Sequence, residues 1–283
     1  MKDMRRLFAA GAVLFMTACT TTGLALLNFQ AAQGGGYSVQ AASYGSDPSH
    51  KLDIYIPDKT NDDKKDVIVF FYGGRWQSGK KEDYLFVAAA LARRGFIIVI
   101  PDFRKYPDVR FPVFVEDGAK ALAWVDDHIA EYGGRRDRIH LAGHSSGAHM
   151  AALLTADKRY LVAEGKDASV LIKDFAGLAG PYAFTPDEKD LIDMFGPPDR
   201  FPQMQVTTFI DGTEPPMLLL HGLEDDTVKI ANLEKLAERI NEKKGRVQVI
   251  TYKKLGHAGI ITTFSKLGAT STVVDDVVEF FRR

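Results

Sequence analysis

The chain holds a single cysteine, Cys19, among 283 residues, so no disulfide within the chain can staple the fold. Stability must come from a packed core, and a composition that is 46% apolar supplies one. Charge of one sign is also lacking. The formal net charge is −1, which leaves no basic excess for a nucleic-acid backbone. Local pairs such as Lys80-Lys81 and Arg135-Arg136 read as solvated surface. No internal repeat is present. The N-terminal apolar run, Leu7 to Met16, is too short to span a bilayer and follows the basic stretch Met1 to Arg6, so it reads as a secretion signal.

What is present is an alternation of strand and helix signals from about Tyr44 onward. Lys51–Pro57 alternates with period two and ends at proline. Val67–Tyr72, Phe96–Pro101 and Pro216–His221 are continuous apolar runs, as in strands buried on both faces. Ile139–Ala142, the weaker Asp174–Gly180 and Val247–Tyr252 complete the strands. Helical patterns lie between them at Tyr84–Arg94, Val113–Tyr132, Ile230–Lys244 and Ser271–Phe281. This alternation predicts an α/β fold with a mostly parallel sheet covered by helices on both faces. The proline-rich stretch Tyr182–Gly212 lacks a clear period and is expected to form a cap or lid.

The densest chemical signal is Gly143-His144-Ser145-Ser146-Gly147, set between a strand and the small-residue helical segment Ala148–Leu154. A G-x-S-x-G turn in that context exposes a serine oxygen at the end of a sheet, which makes Ser145 a candidate nucleophile. The N–H of Ser146, at a helix N-terminus, is placed to receive negative charge. A serine hydroxyl needs a base, itself held by an acid, and on such a sheet these follow in the order Ser, Asp or Glu, His. Of seven histidines, only His257 lies beyond the last strand, in the glycine-bounded loop Leu255–Gly259. His221 reads as a structural strand-end residue, His144 lies on the wrong side of the turn, and His149 reads as helix surface or packing. The acid belongs to the loop after Pro216–His221, where Glu224, Asp225 and Asp226 are adjacent and Asp226 or Thr227 could instead cap the next helix. A second oxyanion donor is expected in the loop after an earlier strand.

Several segments resemble one family. His221-Gly222-Leu223-Glu224-Asp225-Asp226-Thr227-Val228 resembles the H-G-x-x-D-x-x-V pattern of α/β-hydrolases, which selects Asp225. Tyr72-Gly73-Gly74-Arg75-Trp76 resembles the H-G-G-x-W loops of esterases and formamidases, which makes Gly73 and Gly74 the oxyanion candidates. Tyr72 stands where those loops have histidine, and Arg75 fills a position often glycine; Arg75 either pairs with an acid or points to solvent. With Leu52–Pro57, Pro101-Asp102-Phe103-Arg104, Gly143–Gly147 and the His257 loop, these segments are similar to the carboxylesterase branch of the α/β-hydrolase superfamily, near hormone-sensitive-lipase-like, isoprenylcysteine-methylesterase-like and kynurenine-formamidase-like enzymes. The resemblance covers Tyr44 to the C-terminus. It implies an eight-stranded, mostly parallel sheet, a Ser145–His257–Asp225 triad, an acyl-enzyme intermediate and neither metal nor organic cofactor. It implies hydrolysis of carboxylic esters; an amidase or formamidase with the same triad, and a non-catalytic binding lipoprotein, are the alternatives. The short, mixed cap suits small to medium acyl groups, and Trp76, Tyr182 and Phe184 are candidates to line the pocket.

Thr17-Ala18-Cys19-Thr20 resembles a bacterial lipoprotein box with Met16 in place of the usual leucine. That implies a signal peptide over 1–18 and a lipidated Cys19. It also implies a tether over 19–46 rich in Gly, Ala, Gln and Ser, part of it helical near Leu24–Phe29. The hydrolase domain then runs over 47–283, with the cap at 182–212. The protein would be anchored to the bacterial cell envelope, facing the periplasm, with a small-molecule ester as its other partner.

Overall fold

The computed structural model describes residues 23–58, 64–265 and 271–283. The predicted signal peptide and Cys19 lie outside the described residues. Eight strands form one sheet: β1 (Tyr37–Ser43), β2 (Lys51–Pro57), β3 (Lys65–Phe71), β4 (Ile97–Pro101), β5 (Gly134–His144), β6 (Ile172–Leu178), β7 (Met217–Gly222) and β8 (Val247–Tyr252). Their order is β1-β2-β4-β3-β5-β6-β7-β8. The first two pairings, β1 with β2 and β2 with β4, are antiparallel, and all others are parallel.

The continuous apolar runs sit where such runs must. Val67–Phe71 of β3 and all of β4 and β7 are buried, because helices cover both faces of the parallel part. The outer strands β1 and β8 carry exposed positions along their length, whereas the exposed residues of β5 are confined to its N-terminal end. Helix Val113–His128 and helix Ser146–Ala156 pack on the sheet, the latter buried along its whole length. His140, inside β5, is fully buried and reaches Asp174 of β6 at 2.7 Å, so it belongs to the sheet interior.

The arrangement fixes where a ligand can sit. After β3 the chain moves to β4 on one side, and after β5 it moves to β6 on the other. The loops leaving these neighbouring strands therefore part, opening a crevice at the carboxyl ends of the strands. The Tyr72–Trp76 loop and the Ser145 turn form its two lips.

One expectation is corrected. The stretch read as a tether over 19–46 contains a helix at residues 23–33 and strand β1. Strand β1 pairs with β2 from Tyr37↔Pro57 to Ser43↔Lys51, so the ordered fold begins well before residue 47. The helix docks through Leu27 and Ala31, both buried. It is pinned where the Asn28 side chain donates to Glu82 O at 2.8 Å and accepts from the Phe86 N–H at 3.0 Å. The helical part foreseen at Leu24–Phe29 lies within it. Gly35 and Gly36, both at positive φ, make the turn from helix to strand rather than a flexible linker.

Candidate active site

The serine turn is built by close backbone approach. Ser145 has φ 55° and ψ −125°, a conformation that costs a non-glycine residue energy and persists only when its surroundings impose it. They do so here: its N–H donates to Leu178 O at 2.9 Å, and its carbonyl accepts from the His149 N–H at 3.1 Å. A Cβ at Gly147 would lie 2.1 Å from Phe71 O, so only glycine lets helix Ser146–Ala156 pass so near β3. The Ser145 hydroxyl is thus presented at the crevice at the head of that helix. The first N–H groups of a helix, here beginning with Ser146, lack intrahelical acceptors.

His257 Nε2 lies 2.8 Å from Ser145 Oγ, and His257 Nδ1 lies 2.8 Å from Asp225 Oδ2. With the Nδ1–H donating to the carboxylate, Nε2 is left to accept the serine hydroxyl proton. The Asp225 side chain is fully buried, and its second oxygen accepts from the Thr227 and Val228 N–H groups at 2.9 and 2.8 Å. Burial pushes the Asp225 carboxyl up, but these bonds, led by that from His257, outweigh it and hold it below the usual carboxylate range. Glu224 and Asp226 make no contact with the His257 ring; Asp226 instead reaches Thr227 and Lys229. The loops carrying Asp225 and His257 are joined by their backbones, since the Leu223 N–H donates to Tyr252 O at 2.9 Å and the Glu224 N–H to Leu255 O at 3.0 Å. His257 was expected in a loop and is the first residue of the short helix His257–Thr262.

The other histidines take other places. His144 is buried against the His257 ring, 4.9 Å between centroids, and its Nε2–H donates to the His257 carbonyl at 3.0 Å. Burial, and then the neighbouring imidazole, push its pKa down to about 3, so it stays neutral and positions His257. His149 is packed, not on the helix surface. Its Nε2–H donates to Met204 O of the cap at 2.7 Å, and burial pushes its pKa down to about 4. His221 is buried 3.8 Å from Asp225, beyond hydrogen-bond reach.

Gly73 and Gly74 lie across the crevice from the serine turn. A Cβ on Gly73 would come within 3.0 Å of the Ser145 Cβ, and Gly74 has φ +145° with its would-be Cβ 2.2 Å from Ser78 O. Tyr72 supports this loop differently from a histidine. Its Oη donates to Asp102 Oδ1 at 2.6 Å, and the same oxygen accepts from the Lys81 N–H at 2.9 Å. Its ring stacks between Tyr84 and Phe103, and Tyr84 Oη donates to Gly73 O at 3.2 Å. Sequence reasoning singled out Tyr72 and quoted Asp102 without joining them.

Arg75 is paired, not solvent-directed. Its guanidinium lies 2.8 Å from Glu188 and 3.2 Å from Asp190, both on the cap between β6 and β7. Gln77 donates to the same Asp190 at 2.8 Å. That cap contains helix Lys189–Phe195 and the short turns Pro198–Gln203 and Val206–Thr208. A cleft of about 670 Å³ opens above Ser145 and His257, walled by Trp76, Phe184, Leu191 and Val228 and reached by Leu24 from the N-terminal helix. Trp76 stacks on Phe184 at 5.7 Å and meets His149 edge-on at 5.2 Å. Tyr182, expected in the pocket, is not among its walls. It is buried over Gly177 and Gly180, whose missing side chains leave room for its ring.

A sequence profile described as BD-FAE matches residues 52–240, two thirds of the chain. The chain belongs to the BD-FAE family. Relatives of this family member include the probable isoprenylcysteine alpha-carbonyl methylesterase ICMEL1 of Arabidopsis thaliana, 28% identical over 86% of this chain and 55% of its own length. Esterase LipC of Mycobacterium tuberculosis is 27% identical over 82% of this chain and 62% of its own. The chain thus spans little more than half the length of the curated relatives it matches. Among solved structures, esterase B of Lactobacillus rhamnosis superposes with a TM-score of 0.79 at 16% identity, covering 100% of this chain and 96% of that one. The fold of this BD-FAE member is that of the α/β-hydrolases, as the sequence resemblance implied.

Proposed function

We propose that the protein is a serine hydrolase that cleaves carboxylic esters of small to medium acyl groups. The observation that carries this reading is the continuous chain Ser145 Oγ, His257 Nε2, His257 Nδ1, Asp225 Oδ2, with both contacts at 2.8 Å, at the floor of an apolar-walled cleft. The relatives' names, methylesterase and esterase, support an ester as the substrate.

In this mechanism His257 Nε2 takes the hydroxyl proton as Ser145 Oγ attacks the ester carbonyl. Asp225, held ionised by its hydrogen bonds, keeps the Nδ1–H tautomer and stabilises the imidazolium. The developing oxyanion accepts from the Ser146 N–H and from Gly73 or Gly74. His257 then gives its proton to the leaving alcohol. A water, deprotonated by the same nitrogen, releases the acyl group from Ser145. Trp76 and Phe184 form an apolar wall for the acyl or alcohol portion.

Hydrolysis of p-nitrophenyl acetate, butyrate, octanoate and palmitate, beside a formanilide, tests the reading. Ester turnover that falls with chain length and disappears in Ser145→Ala supports it. Faster turnover of the formanilide moves the assignment to an amidase, and inert, folded protein moves it to a binding role. The lipoprotein reading also belongs here: Cys19, lipidated after removal of residues 1–18, would hold the domain at the periplasmic face of an envelope membrane. Membrane fractionation of Cys19→Ala against wild type tests it; an unchanged membrane fraction would end it.

A further inference from the structure

The N-terminal helix, residues 23–33, is apolar on two opposite faces. Leu24, Leu27 and Ala31 recur at helical spacing on the docked side, where Leu27 and Ala31 join the core and Leu24 reaches the cleft. Leu26 and Phe29, three residues apart, share the opposite side and are 52% and 64% exposed. The exposed side also carries Gln33, which makes it a mixed face on which two large apolar side chains stand in the open. Its docked side is fixed by the Asn28 and Leu27 contacts, so the Leu26–Phe29 face cannot turn inward without breaking them.

The elements ringing the cleft carry two more such side chains. Ile192 follows Leu191 on the cap helix, and Leu223 lies in the Asp225 loop; both are exposed. Cys19 lies five residues before Leu24, and five residues span at most about 18 Å when fully extended. A lipid on Cys19 would thus enter the membrane within that distance of the cleft mouth.

We infer that the Leu26–Phe29 face of this helix seats on a lipid bilayer and holds the mouth of the Ser145 cleft at the membrane surface, so that esters residing in the membrane are the favoured substrates. This rests on the esterase and lipoprotein readings above. A lipid on Cys19 would hold the chain at the membrane, and an apolar helix face lying in the interface adds a second contact of a different kind. Such a face also orients the domain, which a lipid on a flexible tether would not. Leu24 then forms the threshold between the membrane interface and the cleft. An ester with a short acyl group and a long alcohol would enter by its head while its alkyl tail stays among the lipids.

The test uses the full chain, purified from membranes and reconstituted into phosphatidylethanolamine–phosphatidylglycerol vesicles. Two esters are compared: hexadecyl acetate carried in the vesicles and p-nitrophenyl acetate in water. The double variant Leu26→Gln/Phe29→Gln is expected to lower hexadecyl acetate hydrolysis about tenfold while leaving p-nitrophenyl acetate within twofold. In a second variant, Phe29→Trp, the added fluorescence is expected to be quenched by lipids brominated on their acyl chains. Equal effects on the two esters, or no added quenching, would overturn the inference. The esterase reading has a separate readout: if Ser145→Ala leaves p-nitrophenyl acetate turnover intact, that reading fails whatever the vesicles show.

Discussion

The two sides of the cleft are held by different physics. On the sheet side, Ser145, His257 and Asp225 stand on turns whose backbones bond directly to one another and to the ends of β6, β7 and β8. On the cap side, the contacts to the Tyr72–Trp76 loop are exposed ion pairs, Arg75 with Glu188 and Asp190. Buried backbone bonds are costly to break, whereas exposed ion pairs contribute between nothing and about 1 kcal/mol. The proposed function would thus place its chemistry on the rigid side and the shape of the substrate opening on the soft side.

Breaking the sheet side should have the largest effect. Ser145→Ala is expected to reduce ester kcat by about a thousandfold or more with unchanged melting, measured by p-nitrophenyl ester turnover and thermal unfolding. Asp225→Asn should cost about a hundredfold or more, because an amide at that site favours the wrong tautomer of His257.

The Tyr72 loop lies between the two sides and should give an intermediate result. Tyr72→Phe keeps the ring stack and loses the bond to Asp102, which lets the Gly73–Gly74 backbone shift. Its kcat is expected to fall roughly tenfold with KM nearly constant, less than the full loss of one oxyanion donor. A rise in KM at constant kcat would show instead that the loop binds ground state and transition state alike.

Breaking the cap side should give the smallest kinetic effect. Arg75→Gln is expected to raise KM by at most about fivefold and leave kcat within twofold, and wild-type KM should drift the same way with salt. If kcat fell instead, the Arg75 ion pairs would be setting the Gly73–Gly74 backbone and the division between the two sides would fail.

His149 sharpens the comparison through stability, since it ties the nucleophile helix to Met204 of the cap. Burial pushes its pKa down to about 4 from the ordinary 6.5, so the unfolded state binds the extra proton between those values. Stability is fully present above pH 6.5 and lost as pH falls toward 4. At pH 5.5 the loss from this one group is on the order of 1 kcal/mol, and His149→Gln, which can still donate to Met204 O, should remove that part of the pH dependence in urea titrations.

The sheet side was legible in the sequence because its signals are local. Apolar runs and period-two alternation located seven strands, the G-x-S-x-G turn and the glycine-bounded loop carried Ser145 and His257, and the resemblance to α/β-hydrolases selected Asp225 among three adjacent carboxylates. The soft side was not, because its contacts join distant segments. Arg75 meets acids 113 and 115 residues further on, which no spacing rule connects. Strand β1 was missed because only Tyr37 and Ala42 along it are even partly buried, leaving little period-two contrast, and three adjacent glycines before it suggested a linker. Tyr182 was assigned to the pocket by its type. Its ring is drawn instead into the space that Gly177 and Gly180 leave beside β6.

The central claim is that Ser145 is an activated nucleophile. Labelling with diisopropyl fluorophosphate, followed by peptide mass spectrometry, tests it most directly. Attack by Oγ on phosphorus expels fluoride and leaves a covalent phosphoryl adduct. The account expects one adduct, on the peptide containing Ser145, formed far more slowly in His257→Ala. Folded protein that stays unlabelled, or that is labelled at another serine, would contradict it.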